Sequence, residues 1–198
     1  ALALDQANNR VFVAEPTNGS NGSVVGSARI WSFNYNTGEY LNSFTTNFLY
    51  GIPQIAYRSG FLTVGNDGTF YDRYDVNTGL AVRSSQWPLA SAGLAHQGTN
   101  LWAFSDNKVH SRDDVTNGLV TTYTMATPVA SSTLSGQRQL AISGNRALAV
   151  GAISFSGFRL DTLSTSGTNA MVTNSISGYN QMNGAGFGHG DIAYVGGT

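Results

Sequence analysis

Acid–base or metal chemistry in this 198-residue chain would have to draw on three histidines, eleven acids and ten bases. The histidines are His96, His110 and His189. A zinc site needs several ligands converging at about 2.1 Å, and no His-x-x-x-His pair gathers them locally. With no cysteine the chain has no thiolate ligand, no sulfur nucleophile and no disulfide. His96, with Gln97 and Arg58, makes a candidate small polar pocket. A glycosidase would need two carboxylates facing each other across about 5–10 Å. Asp75, Asp114 and Asp161 are assigned to turns, and Asp5, Glu15 and Asp67 are the free candidates for that role. No Gly-x-Ser-x-Gly elbow is present, and Asn66-Asp67-Gly68-Thr69 lacks the spacing and final Glu of a calcium loop. The expectation is no metal and no cofactor. Aromatic residues offer a different chemistry. Tyr50 in Phe48-Leu49-Tyr50, Trp87 in Trp87-Pro88-Leu89, and Tyr179 join the Pro16–Ser27 insertion in segments read as loops. Aromatics beside a polar rim suit a sugar ring or a protein partner. Trp31 and Trp102 fall inside strands and read as packing residues.

The elements that must position these groups are strands. Phe61–Asn66, Phe70–Asp75 and Leu80–Ser85 read as short strands carrying β-branched and aromatic residues, joined by two tight turns, Asn66–Thr69 and Val76–Gly79. With Ile55–Arg58 in front they make a four-stranded antiparallel meander. The unit recurs. First-strand triplets are Leu2-Ala3-Leu4, Ile55-Ala56-Tyr57, Leu94-Ala95-His96, Leu140-Ala141-Ile142 and Ala185-Gly186-Phe187. Second strands are Val11–Glu15, Phe61–Asn66, Leu101–Asp106, Ala147–Ala152 and Ile192–Gly196. Third strands are Ala28–Phe33, Phe70–Asp75, Val109–Asp114 and Phe155–Asp161, and fourth strands are Tyr40–Thr45, Leu80–Ser85, Leu119–Met125 and Ala170–Ile176. Third strands end in a column of Asn34, Asp75, Asp114 and Asp161, and the turns after it close on Gly38, Gly79, Gly118 and Gly167. Arg73, Arg112 and Arg159 stand two residues before the acids. Four strands repeated about every 40–45 residues predict the blades of a β-propeller. The small central residue of each first-strand triplet then lets sheets converge on an axis without collision.

The units LALDQANNRVFVAE, ARIWSFNYNTGEYLNSF, YDRYDVNTGLAV and DDVTNGLV resemble the repeats of YVTN, quinoprotein-like and WD-repeat propellers over nearly the whole chain. The resemblance implies the fold. It carries over no catalytic residue, because no Gly-His/Trp-Asp pair appears and no quinone-holding residue can be placed. The fold class is therefore all-β, one propeller domain over residues 1–198, with four complete units and half of a fifth. Such a count predicts a ring completed by a longer chain or by another copy, since open sheets leave unpaired edges. A closed four-bladed ring with an irregular tail is the alternative.

Composition limits the partners. Charged residues make up 11% against about 25% in ordinary domains, and Gly is abundant at 24 residues. A net charge of −1 removes the general drive towards nucleic acid or anionic membrane. No apolar run approaches the roughly 18 residues of a membrane-spanning helix. Asn18-Gly19-Ser20 and Asn21-Gly22-Ser23 match the glycosylation pattern and favour an extracellular or surface-associated setting. The functional expectation is a non-enzymatic binding or structural module that recognises a protein or glycan through loop aromatics. The ligand-binding candidates are Tyr50, Trp87, Arg58, His96 and Gln97. Two alternatives remain open: a quinoprotein-like oxidoreductase or lyase with its site in the axial channel, and a self-assembling structural subunit.

Overall fold

The computed structural model describes residues 1–18, 24–47, 54–65, 70–86, 93–105, 108–116, 118–124, 138–143, 146–154, 157–164 and 171–179. They contain sixteen strands in four antiparallel sheets, each a meander in chain order. The first sheet is β1 (Leu2–Asp5), β2 (Arg10–Asn18), β3 (Val24–Asn34) and β4 (Tyr40–Asn47). The second is β5 (Gln54–Arg58), β6 (Phe61–Gly65), β7 (Phe70–Asp75) and β8 (Ala81–Gln86). The third is β9 (Gly93–Gln97), β10 (Asn100–Ser105), β11 (Lys108–Asp113) and β12 (Leu119–Thr124). The fourth is β13 (Arg138–Ser143), β14 (Arg146–Ser154), β15 (Gly157–Ser164) and β16 (Met171–Tyr179). The chain falls into two compact units, Ala1–Ser91 and Ala92–Thr198, each holding two sheets. Residues 180–198, where the half unit was expected, lie outside the described residues.

Side-chain alternation gives each strand two faces, and one register repeats through the sheets. Leu2 opposes Val13 and Leu4 opposes Val11 in the first sheet; Ile55 opposes Val64 and Tyr57 opposes Leu62 in the second. Within the first unit β1 lies beside β5, and the core forms between the two sheets. The first sheet contributes Ala3, Phe12, Ala14, Ala28 and Ile30; the second contributes Ile55, Leu62, Val64, Tyr74 and Val76. Ala3, Ala14 and Ala28, set among Phe12 and Ile30, let the sheets approach near the inner strands. Ala3, Ala56 and Ala141 are buried as the triplet column requires, while Ala95 is part-exposed.

In the first three sheets the turns between third and fourth strands repeat one pattern of amide-to-side-chain hydrogen bonds. Asn34 Oδ1 accepts from the Asn36 and Thr37 amides at 2.9 and 3.2 Å. Asp75 Oδ1 accepts from the Asn77 and Thr78 amides at 3.0 and 2.9 Å and from the Thr78 hydroxyl at 3.1 Å. In the third sheet the same role falls to Asp113, which accepts from the Val115 and Thr116 amides at 3.0 and 2.7 Å. The expected turn acid Asp114 instead takes the place of Val76, and its amide bonds the Thr99 carbonyl as that of Val76 bonds Gly60. Asp114 is buried. Gly118 therefore stands where Leu80 does, one residue past the left-handed position held by Gly79. By the same shift Ser111, not Arg112, matches Arg73 and Ser32. Asp161 is no turn residue either, because β15 runs on to Ser164 and pairs Asp161 with Ala149 and Ser175.

Two segments expected as loops are strand. β2 extends to Asn18 and β3 begins at Val24, so much of the Pro16–Ser27 insertion lengthens a hairpin. Tyr179 closes β16 opposite Gly157. A bulge also recurs in the outer strand of every sheet. One residue, Leu41, Val82, Val120 or Thr173, is left between consecutive pairs with the third strand. The first three of these side chains are exposed. A bulge on an edge strand interrupts the row of backbone groups that another chain could pair with.

Candidate interaction surface

A polar lock at the ends of the inner strands holds the first sheet against the second. Asp5, buried at the end of β1, accepts from Asn8 Nδ2 at 2.9 Å and from Arg10 Nη2 and Nε at 3.1 and 3.3 Å. The Tyr57 hydroxyl completes the set from the second sheet. Burial pushes the Asp5 carboxyl up, but these donors outweigh it and hold it below its ordinary value. Burial and the Asp5 carboxylate push the Tyr57 phenol the other way, upward. Arg10 also reaches Asn77 Oδ1 at 3.3 Å, and Phe12 stacks on Tyr57 with centroids 5.4 Å apart. Further out, the Tyr74 hydroxyl takes the Asn47 amide at 3.0 Å and lies 3.3 Å from both the Asn47 carbonyl and Asp72 Oδ2. Burial, with the Asp72 charge beside it, raises the Tyr74 phenol to about 12.

Asp5 is thus a structural acid. Glu15 is likewise engaged, accepting from Trp31 Nε1 at 2.9 Å, and Asp67 lies outside the described residues. Asp5 and Glu15 do not form the facing pair a glycosidase needs, because strand alternation puts Asp5 on the side of Ala3 and Glu15 on the side of Val11 and Val13. Among the described residues no three His, Cys, Asp or Glu side chains gather as a metal site. His110 is buried on β11 with Nδ1 3.0 Å from Thr122 Oγ1.

With its opposite face on the second sheet, the first sheet carries a part-exposed apolar face. Leu2, Leu4, Val11, Val13, Trp31 and Phe33 project there and are each only half-buried. Trp31, expected as a packing residue, sits on this surface with the Arg29 guanidinium 4.5 Å above its ring. Its strand location is as expected; strand alternation aims it away from the core. Tyr40 meets the rings of Trp31 and Phe33 edge-on at 6.1 and 6.0 Å, and its hydroxyl bonds Ser43 Oγ at 3.2 Å. Arg29, Glu15 and Tyr40 are exposed, so an apolar centre carries a polar and aromatic rim. That arrangement matches the anatomy of protein-binding surfaces. Trp102, by contrast, is buried as expected.

Of the site residues expected from sequence, Tyr50 and Trp87 lie outside the described residues. Arg58 ends β5 opposite Phe61 in the first unit. His96 and Gln97 end β9 in the second unit, opposite Leu101 and Asn100. As neighbours on one strand they project to opposite faces, His96 at the place of Tyr57 and Gln97 at that of Arg58. The first-sheet surface was missed because Leu2, Val11 and Val13 read as ordinary core strand. Their equivalents in the second sheet are core, and no local signal tells a covered face from an open one.

No protein-family model matches the sequence, and no curated protein matches it. Solved structures do. The chain superposes on hydrazine synthase of Kuenenia stuttgartiensis with a TM-score of 0.57 and 12% identity, over 90% of this chain and 48% of that one. It superposes on Myxococcus xanthus glutaminyl cyclase with a TM-score of 0.57 and 9% identity, over 86% and 68%. The WD40 repeats of RRP9 give 0.54 and 12%, over 85% and 61%. The fold is a β-propeller, with four-stranded antiparallel sheets as its blades. The chain spans about half the length of the hydrazine synthase chain it matches.

Proposed function

We propose that this protein is a non-enzymatic propeller module whose task is to bind a protein partner. The observation that carries the reading is the part-exposed apolar face of the first blade, where Trp31, Phe33 and Tyr40 flank half-buried Leu2, Leu4, Val11 and Val13. Aromatic residues and arginine are the side chains that anchor protein interfaces, and Arg29 over Trp31 supplies both. The WD40 neighbour supports protein interaction in general. The connections carrying Tyr50 and Trp87 are proposed as a further contact region for protein or glycan, with Arg58, His96 and Gln97 as polar contacts. Low charge and the two Asn-Gly-Ser triplets favour an extracellular or surface-associated setting.

The test is a panel of immobilised proteins and glycans probed with the native chain and with Trp31→Ala, Tyr40→Ala, Tyr50→Ala and Trp87→Ala. Loss of a protein ligand in the Trp31 and Tyr40 variants, with unchanged circular dichroism, supports the reading. A ligand retained by all four variants removes the aromatic surfaces from the function. Turnover of a hydrolase, lyase or oxidoreductase substrate by the purified chain replaces the reading with an enzymatic one.

A further inference from the structure

Two polar atoms stand unmet inside the contact between the first and second sheets. Ser32 on β3 is 1% exposed, and its hydroxyl has no hydrogen-bond partner among the described residues. Asn42 on β4 lies directly opposite it in register, and Phe12 of the core lies opposite it on the other side. The Asn42 carboxamide donates from Nδ2 to the Val76 carbonyl of the second sheet at 3.4 Å, while its Oδ1 is buried with no partner among the described residues. That bond fixes which way round the carboxamide sits, because the reverse orientation would set two carbonyl oxygens against each other. A hydroxyl and an acceptor thus share one interior spot from neighbouring strands. Leaving a buried polar group unpaired costs its full desolvation, and here that cost would be met twice. The position recurs. Ser111 matches Ser32 in the third sheet, is fully buried, and its hydroxyl also has no partner among the described residues.

We propose that the contact between the first two sheets binds an ordered water molecule, which accepts from the Ser32 hydroxyl and donates to Asn42 Oδ1. Directly opposed side chains start from Cβ atoms about 4.5–5.5 Å apart, and one water spans what then separates their polar ends. It has both the acceptor and the donor that the two groups lack, and two polar partners are enough to hold a buried water. Phe12 and Ile30 on the same face, and Val76 across from it, are fully buried, which leaves no entry for a larger ligand. A cation does not suit the place, because neither group is charged and hard cations take several oxygen ligands. The bulge at Leu41 falls beside the Ser32–Asn42 pair and interrupts the ladder there, which gives the water its room.

Magnetic relaxation dispersion of the water signal counts molecules that stay bound longer than the protein takes to tumble. Ser32→Ala removes the donor and is expected to lose one such water relative to the native chain, with circular dichroism checking that the variant folds. Thr45→Ala, on an exposed residue of the same strand, keeps the native count. A high-resolution crystal structure of the native chain then places the molecule, expected within hydrogen-bonding distance of both Ser32 Oγ and Asn42 Oδ1. A count unchanged by Ser32→Ala overturns the inference. So does a crystal structure with no water touching both atoms, or one in which the Ser32 hydroxyl bonds Asn42 Oδ1 directly.

Discussion

Gly38 and Gly79 occupy the same place in two copies of one turn, and substituting each by alanine separates backbone strain from packing. Both take left-handed geometry, with φ of +73° and +68°. Alanine there costs about 1–2 kcal/mol because its Cβ crowds the following carbonyl. At Gly38 nothing lies within 4 Å of an added Cβ, so Gly38→Ala loses that amount alone. At Gly79 the added carbon would stand 2.6 Å from Phe44 Cβ and 3.0 Å from its Cγ. Phe44 belongs to the outer strand of the neighbouring sheet, so the clash falls on the packing between two sheets rather than on the turn. Forcing a methyl into a filled contact adds about 1–3 kcal/mol. Gly79→Ala is therefore expected to lose about 2–5 kcal/mol in urea unfolding, at an unchanged m-value. Phe44→Ala does not rescue it fully, because the 2.6 Å contact is to Phe44 Cβ, which alanine keeps. Equal losses at Gly38 and Gly79 would refute the close approach of the turn to Phe44.

Three other outcomes follow from the locks between the first two sheets and from the turn of the third. Because Asp5 is held below its ordinary value of 3.8, its stabilising effect is full above that pH and fades as pH falls through the lowered value. Asp5→Asn should flatten the acid limb of a thermal-stability profile and lower the Tm at neutral pH. Tyr74, raised from 10.0 to about 12, keeps its full effect below pH 10 and loses it as pH rises towards 12, where the folded phenol ionises. Tyr74→Phe should cost about 1 kcal/mol at neutral pH and abolish that alkaline decline, both readable by circular dichroism. Asp113→Ala removes the acceptor of the Val115 and Thr116 amides and should lower the Tm by about 2–4 °C. An Asp113 variant as stable as the native chain would contradict the turn assignment in the third sheet.

Local chemistry alone made the architecture legible. Strand alternation, turn residues and a small residue in each first-strand triplet are properties of neighbours in the chain, and they point to four-stranded repeats without reference to anything distant. The same reasoning failed at Asp113-Asp114, because two adjacent acids satisfy one turn pattern equally well. Only the pairing of Asn100 with Asp113 across the sheet decides which carboxylate caps the turn and which is buried. Asp5 likewise reads as a free acid until Tyr57, fifty-two residues on, is brought to it by the packing of one sheet on the next. The part-exposed face of the first blade belongs to the tertiary structure entirely. Leu2, Val11 and Val13 have the residue types of Ile55, Leu62 and Val64, and what separates them is that Ile55, Leu62 and Val64 pack against the first sheet.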